Sequence, residues 1–545
     1  MIEQPLSRKS KILFSMLSGL LLGISFPPVP TGVSAFVGFI PFLFVMESAN
    51  GAWRAFKYAY LTFLVFNLTT IYWISGFGGD DIWLMISGFV VNLFHPILFC
   101  IPATIYYLIR KKFGSLQGLI AFQFIWVTYE WLAQLPDLSF PWLMLANSQT
   151  YNFRSLQFIS ITGALGASFW IVVVNIVGFI ILKKYLTRKE NPHQLKHLVV
   201  GIVVLFLLIF LPILYSGFVL DSTASKRSVK VGIAQPDVDP YDKWGEGDTP
   251  KDKVANLLEL YDSLSLQKVD LVLLPETSIP FRILLYTYVE ELAALQRHID
   301  SVGVPLLTGF PDTKFYNEGE APVSAKRFTN SPIRFDDFNA ALLILPQSAS
   351  RQIYHKIKLT PMSERIPMLD TFPFLSEWLT WGVGISGWGK GKDTTIFLLP
   401  QQPKTSDTTK FWTMICYETL YPEFISRFVD RGAEFLGVIT NDGWFGKTSG
   451  PHQLKQYAVL RAIENRRAIA RCANNGVSCF IDPYGRVTHE TELYTRTSIV
   501  GNVPLIEEKT FYTKHGDWFA QGCSLITGLF FLRFIFSRRK KDATH

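Results

Sequence analysis

Glu276, Lys356 and Cys416 each follow a short apolar run, and together they are the kinds of side chain that acyl transfer needs. Cys416 ends the run Phe411-Trp412-Thr413-Met414-Ile415. A thiol at a strand end, with Pro422 opening a helix just beyond, sits where its pKa can be lowered. Glu276 follows Leu273-Leu274-Pro275, a placement that partly desolvates a carboxylate and raises its pKa toward that of a general base. Lys356 lies in Tyr354-His355-Lys356-Ile357-Lys358, where a strand period of two puts Lys356 and Lys358 on one face. An ammonium beside a reacting carbonyl would stabilise a developing oxyanion, and Glu364 could hold that ammonium in place. Taken singly, each residue has a plainer reading: a solvated strand-end glutamate, solvated lysines, a core cysteine. Cys472 and Cys479 lack a Lys/Glu neighbourhood and read as core, with a disulfide between them open to a domain outside the cytoplasm. The cysteines form no C-x-x-C pair, and His452 and His515 stand isolated, so no metal or other cofactor is expected.

The elements that must position these residues alternate in type. Val229–Ala234, Asp270–Leu274, Pro305–Gly309, Ala340–Leu345, Gln352–Ile357, Phe411–Ile415, Phe435–Thr440, Ala468–Cys472 and Ser478–Asp482 read as strands. Lys253–Leu266, Glu290–Ile299, Pro422–Arg431 and Gln453–Arg467 read as helices. Short apolar strands separated by helices predict an α/β sandwich. No Gly-rich phosphate loop accompanies them. Lys314–Asp337 is polar and irregular and reads as a surface loop, as does Gln401–Lys410.

The rest of the chain reads as membrane. Of 545 residues, 49% are hydrophobic and 18% charged, and the mean hydropathy is +0.23. Soluble domains average about 25% charged residues. This balance excludes disorder, and five cysteines exclude a disulfide scaffold. The net charge of +8 raises the question of a nucleic-acid partner. Asp221–Trp518, however, holds 33 basic and 36 acidic residues, and the remainder holds 19 and 8. The basic excess belongs to the apolar part, so no nucleic acid is expected.

Apolar runs lie near Ile12–Phe26, Val33–Met46, Phe56–Ile74, Ile82–Ile109, Leu116–Leu135, Leu156–Leu182, Leu198–Val219 and Phe519–Phe536. Crossing a bilayer takes about 20 apolar residues. The expectation is an integral membrane α-helical bundle of about eight transmembrane helices. Seven fall in residues 1–220, an outer domain fills 221–518, and the last span with a basic tail fills 519–545. The first two runs are short and flank Pro27-Pro28-Val29-Pro30, a tight hairpin. Seventeen lysines and arginines, in clusters such as Arg110-Lys111-Lys112, Lys183-Lys184 with Arg188-Lys189, and Arg538–Lys541, fall on one side. The opposite short loops carry Arg154, Asp80, Asp81 and Asp137. The positive-inside rule then predicts cytoplasmic termini and an extracytoplasmic domain. Glu130, Asn175 and His95 are the main polar residues within spans, and Glu130 is expected to make a structural hydrogen bond.

In that order and at those strand ends, Glu276, Lys356 and Cys416 resemble the Glu-Lys-Cys triad of the nitrilase superfamily of carbon–nitrogen hydrolases. With spans on both sides, the chain resembles the apolipoprotein N-acyltransferase family over essentially its whole length. The motifs are Gln235-Pro236 with Trp244, Pro275-Glu276-Thr277, Lys356 with Glu364, and Cys416-Tyr417-Glu418. Asn441-Asp442-Gly443-Trp444-Phe445-Gly446, Arg461–Arg467 and Ala473-Asn474-Asn475-Gly476 follow. Glu130-Trp131, Phe140-Pro141-Trp142 and Ser148-Gln149 fit in the membrane part.

The resemblance implies an αββα sandwich with Cys416 as nucleophile, Glu276 as base and Lys356 at the oxyanion. It implies supporting or substrate-binding roles for Glu364, Tyr417, Glu418, Trp244, Asn339, Trp444 and Phe445, with Trp244 and Trp444-Phe445 as lipid-facing lids. It implies ping-pong transfer, through a Cys416 thioester, of an acyl chain from a membrane phospholipid, phosphatidylethanolamine. The acceptor is the α-amine of the diacylglyceryl-cysteine that begins an apolipoprotein. The enzyme would be a monomer of the bacterial inner membrane with its catalytic domain on the periplasmic side. One departure stands out: the family usually reads Leu-Val-Pro-Phe-Gly-Glu after the lysine, and this chain reads Leu359-Thr360-Pro361-Met362-Ser363-Glu364. Two competing readings are a membrane-tethered amidase, with water as acceptor, and a non-enzymatic transporter or scaffold. A transporter predicts several polar or charged residues at mid-span.

Overall fold

The computed structural model describes residues 6–76, 82–135, 137, 139–187, 194–220, 227–240, 242–245, 247–317, 319–328, 331–372, 374, 387–400 and 408–537. Asp80, Asp81, Arg188, Lys189, Arg538–Lys541, the boundary at Asp221 and most of Gln401–Lys410 lie outside the described residues.

Helices occupy all eight apolar runs. Among the described residues four are long and apolar enough to cross a membrane: Met85–Phe113, Ala164–Thr187, Leu195–Leu220 and Trp518–Phe536. Arg8–Gly23 and Ala35–Glu47, at 16 and 13 residues, fall short of the usual span. Ala52–Thr70 and Ser115–Leu132 reach 19 and 18 residues but carry several polar side chains each. The helix Leu195–Leu220 presents Val199, Val203, Phe206 and Phe210 outward. So continuous an apolar face is stable only against lipid or another protein. Inside the bundle Phe39, Phe63, Phe99, Phe122 and Trp126 pack edge-to-face or stacked at 4.8–5.8 Å. The polar residues of the spans bind neighbouring groups. Asn175 bridges the Phe39 N–H and the Ala35 carbonyl, and His95 meets Asn67 at 2.8 Å. Glu130 accepts from Trp126 Nε1 and from the Leu145 N–H, the structural role expected of it.

The remaining elements form two sheets. The first is built from β1 (Ser228–Gln235), β2 (Leu271–Leu273), β3 (Leu306–Tyr316), β4 (Lys326–Arg327), β5 (Arg334–Ile344) and β6 (Arg351–His355). The second contains β7 (Phe397–Pro400), β8 (Thr408–Ile415), β9 (Phe435–Thr440), β10 (Ile469–Ala473), β11 (Cys479–Ile481) and β12 (Val487–Thr488). A last strand, β13 (Thr497–Pro504), returns to the first sheet and pairs antiparallel with all of β1. The orders are β13-β1-β2-β3-β5-β4, with β6 also on β5, and β12-β11-β10-β9-β8-β7.

The strand period of two builds the layers. Leu271 and Leu273 face the second sheet, in one core with Phe411, Met414 and Leu436. Val272 and Leu274 face the other way, in a core with Val254, Leu257, Leu295 and Ile299 of the helices Pro250–Ser265 and Val289–Val302. The helices Pro422–Asp430 and Ser449–Asn465 cover the second sheet. The αββα sandwich is therefore present. The ends of Lys314–Asp337 and a short piece inside it are not the expected loop: β3 runs to Tyr316, Lys326–Arg327 pairs with β5, and β5 starts at Arg334. The polar residues of these strand extensions are paired among themselves and with neighbours. Tyr316 there donates to Asp336, and Arg282 and Lys326 pair with Asp337.

The sandwich and the bundle meet through a buried glutamine. Gln453 Oε1 accepts from Trp73 Nε1 (3.1 Å) and Trp142 Nε1 (2.7 Å). Its Nε2 donates to the carbonyls of Pro27 and Thr70.

Candidate active site

The carboxyl ends of β2, β6, β8 and β9 converge on one edge of the sandwich, and the three chemistry-bearing residues lie just past them. Glu276 stands on a corner after β2, where Thr277 has a φ of +48°. Gly309 of β3 passes so close that an added Cβ would lie 2.3 Å from the Thr277 nitrogen, so only glycine fits there. Lys243 braces the corner from behind, donating to the Glu276 carbonyl and to Thr277 Oγ1, both at 2.8 Å. Burial pulls the Lys243 pKa down to about 7, against the charge of Glu276.

Lys356 is the first residue beyond β6, and its side chain is 1% exposed. Its Nζ donates to Glu276 Oε1 at 3.1 Å and to Glu364 Oε1 at 2.8 Å. Asn339 of β5 sits between the same carboxylates, donating through Nδ2 to Glu276 (2.6 Å) and Glu364 (3.1 Å). The Asn339 carbonyl also accepts the Lys356 N–H. Burial alone would discharge the lysine, but the charges of Glu276 and Glu364 override it and hold its pKa above the usual range. Burial likewise works against Glu364, and Lys356 with its hydrogen bonds keeps that carboxyl below its usual value. The second oxygen of Glu276 accepts from the Asn441 N–H at 3.0 Å. Lys356 and Lys358 do not share a strand face as expected, because β6 has ended at His355. Lys358 turns away, and its ammonium lies 4.7 Å from the Tyr421 ring centroid.

Cys416 leaves β8 with a φ of +50° and opens a short 3₁₀ turn, Cys416–Leu420. A non-glycine residue held in this region costs about 1–3 kcal/mol and must be fixed by its surroundings. Glu418 does the fixing. One of its oxygens accepts the Ile415 N–H, and the other accepts from Tyr354 Oη and from the N–H groups of Ile357 and Lys358. The fully buried carboxylate thus bolts the cysteine turn to the lysine loop, and burial pushes its pKa up to about 7. The thiol itself is not lowered, as its place at a strand end suggested. Burial and the charge of Glu276 push it up, and Lys356 and a hydrogen bond with Thr440 only partly offset them. The resting thiol keeps its proton until a neighbouring base removes it.

Further residues frame this centre. Tyr417 Oη donates to the Ser139 carbonyl, and Tyr421 Oη meets Ser139 Oγ at 2.6 Å. The turn that carries Cys416 is thereby tied to the end of the helix bundle. Phe445 rests on Trp73 and Trp142, with ring centroids 4.8 and 5.8 Å away. Trp444 beside it is half-buried, and Trp244, next to Lys243, is 39% exposed. The Thr360–Ser363 departure keeps its carboxylate in place: the Thr360 N–H donates to Glu364 Oε2, and Met362 takes a φ of +66°. Cys472 and Cys479 are free and buried, so the disulfide considered for them is not formed. Strand hydrophobicity and the Lys/Glu/Cys types pointed to the triad. The bracing by Asn441 and Lys243 had no comparable local signal, since a backbone N–H and a lysine beside a tryptophan look ordinary in a sequence.

A buried thiol, a carboxylate and an ammonium at one strand edge can take a proton from sulfur, attack a carbonyl and hold the resulting oxyanion. Comparison with known proteins agrees with that chemistry. The apolipoprotein N-acyltransferase N-terminal domain matches residues 18–177, and the carbon-nitrogen hydrolase domain matches residues 231–508. The apolipoprotein N-acyltransferase of Chlorobaculum tepidum is 34% identical over 94% of this chain and 94% of its own. That of Geobacter metallireducens is 29% identical over 94% of this chain and 92% of its own. Among solved structures, an amidase from Nesterenkonia sp. AN1 aligns at 17% identity and a TM-score of 0.35, over 52% of this chain and 94% of that one. A whole-length match above 30% identity, together with a carbon–nitrogen hydrolase domain that carries the Glu276, Lys356 and Cys416 site, means that the chain belongs to the apolipoprotein N-acyltransferase family.

Proposed function

We propose that this acyltransferase moves an acyl chain from a membrane phospholipid to the α-amine of the diacylglyceryl-cysteine at the N-terminus of apolipoproteins. The observation that carries the reading is the Lys356 ammonium, buried between two carboxylates beside a cysteine turn that is hydrogen-bonded to the helix bundle. In the first half-reaction Glu276 takes the proton of Cys416, and the thiolate attacks an ester carbonyl of the phospholipid. Lys356 faces the oxygen that becomes negative, and a backbone N–H faces it too. The ester C–O bond breaks, Glu276 returns its proton to the leaving alkoxide, and the lysophospholipid departs. A thioester remains on Cys416.

In the second half-reaction the free amine attacks the thioester, Glu276 takes a proton from nitrogen, and the C–S bond breaks. The thiolate recovers that proton. Two substrates that use one nucleophile in turn give ping-pong kinetics. A thioester suits the second step, because an amine displaces thiolate more readily than alkoxide.

Asn339 and Glu364 hold the lysine, Glu418 holds the cysteine turn, and Tyr417 docks that turn on the bundle. Trp244, Trp444 and Phe445 line the approach as lids. Eight helices cross the bacterial inner membrane, seven in residues 1–220 and one in 519–545, with both termini cytoplasmic and residues 221–518 in the periplasm. The donor is phosphatidylethanolamine, and the enzyme acts as a monomer.

The test is the intact mass of the detergent-purified protein after incubation with phosphatidylethanolamine, beside Cys416→Ala. The expected result is one added acyl chain in the wild type alone, released by a diacylglyceryl-cysteinyl peptide. Discharge by water but not by the peptide would favour the amidase reading instead.

A further inference from the structure

A cleft opens between the lysine loop and the outer end of the helix bundle. Asp137 and Ser139 line it from the bundle, Lys358 and Arg365 from the lysine loop, and Lys390 and Tyr421 from the sandwich. Three of these six side chains are cationic and one is acidic. Two of the cations are already matched: Lys390 pairs with Asp137 at 3.1 Å, and Arg365 with Asp370 at 2.7 Å. Lys358 is different. It is half-buried, its ammonium rests on the faces of Tyr421 (4.7 Å) and Phe424 (6.0 Å), and no carboxylate among the described residues lies within ion-pair distance of it. Burial, and then the like charges of Lys390 and Arg427, pull its pKa down, against Glu418 and Asp137. A half-buried cation pressed by two others is a place where an anion gains energy on arrival.

The position of the cleft narrows the anion. Lys358 is two residues past Lys356, and its backbone N–H is held by the same Glu418 that fixes the Cys416 turn. Tyr421, on the opposite wall, is five residues past Cys416 and is bonded to Ser139 of the bundle. An ester bound at Cys416 by a lipid lying along the bundle would place its glycerol-linked headgroup here.

We propose that this cleft binds the phosphate of the acyl donor's headgroup, with Lys358 as the principal contact. The inference rests on the phospholipid reading of the donor above. It gives the single site a means of telling its two substrates apart: the donor carries a phosphate next to its esters, and the diacylglyceryl-cysteine acceptor carries a peptide there.

The experiment follows thioester formation by intact mass, on the full-length protein, with two donors: phosphatidylethanolamine and phosphate-free p-nitrophenyl palmitate. Lys358→Gln should slow acylation by phosphatidylethanolamine on the order of ten-fold more than acylation by the nitrophenyl ester, as expected for one lost charge-assisted contact. Lys358→Arg should restore most of that preference. Equal slowing with both donors, or none with either, would overturn the proposal.

Inorganic phosphate supplies a further arm. Competition against phosphatidylethanolamine in the wild type, weakened in Lys358→Gln, is expected. If phosphate binds through Lys358 while Lys358→Gln accepts phosphatidylethanolamine as fast as the wild type, the cleft holds a free anion and the headgroup assignment fails. If the wild type forms no adduct with phosphatidylethanolamine but does with the nitrophenyl ester, the phospholipid reading itself falls, and this one with it.

Discussion

Cys416, just past the end of β8, and Cys472, inside β10, have β9 between them; both are buried and both have thiols pushed up by desolvation. Their surroundings differ in kind. Cys472 stays inside β10 and donates to the carbonyls of Ala234 (3.3 Å) and Leu273 (3.4 Å) in the facing sheet. Its charged neighbour Arg471 is committed to Asp442 at 2.9 Å. Cys416 has passed the end of β8, is turned out of the ladder by a positive φ, and shares its space with Glu276 and Lys356. Burial alone therefore says little about reactivity. What sets Cys416 apart is a neighbouring carboxylate able to take its proton, with an ammonium beside both.

The comparison breaks first at the nucleophile. Cys416→Ala should abolish the acyl adduct and reduce turnover by about 10⁴-fold or more, measured as triacylated peptide formed per enzyme. An adduct that survives the substitution would move the chemistry elsewhere.

Glu276→Gln tests the proton acceptor. The amide keeps one acceptor oxygen, enough for the Asn441 N–H or for Lys356 and Asn339 but not for both, and acylation should slow by roughly 10²–10⁴-fold. Single-turnover acylation by an activated ester is the measurement. A rate near that of the wild type would assign the base to another group.

A smaller effect concerns the end of β6, just before Lys356. His355 is held between Asp312 (2.8 Å) and Asp393. Burial opposes its charge, but hydrogen bonds and charges from both aspartates raise its pKa to about 9, from an ordinary 6.5. A raised histidine stabilises the fold fully below pH 6.5 and loses that contribution as pH climbs through 9. Thermal melts should therefore show the Tm falling between pH 6.5 and 9, with a shallower fall in His355→Gln. Parallel profiles for the two proteins would remove His355 from that role.

The least change is expected at the other cysteine. Cys472→Ala should leave the acyl adduct intact and lower stability by about 1 kcal/mol, a Tm shift of a few degrees. Loss of the adduct would erase the distinction between the two thiols.

Much of this arrangement is legible along the chain, because it is written in local terms. Short apolar runs marked nearly all the core strands, such as Phe435–Thr440, whose observed limits are the expected ones. Each of the eight apolar runs holds a helix, and four of these, among the described residues, are long and apolar enough to cross a membrane. The residue types at the strand ends, with the motifs around them, named Glu276, Lys356 and Cys416.

What the linear pattern could not carry are effects that depend on distant residues or on dryness. β13 is invisible as a partner of β1 because about 270 residues separate strands that pair in full register. Glu418 looks like one more loop carboxylate until Tyr354, Ile357, Lys358 and Ile415 are seen to converge on it. Gln453 reads as an ordinary polar helix residue, yet it joins Trp73, Trp142, Pro27 and Thr70 across the two halves of the molecule. The state of the thiol went the same way: a strand end next to a helix suggested a lowered pKa, and exclusion of water reversed it. The sequence by itself determined which chemical groups are present and on which elements they lie, because periodicity and residue type are local properties. The tertiary structure decided which of them meet and how they ionise, because contact and desolvation belong to the packed chain.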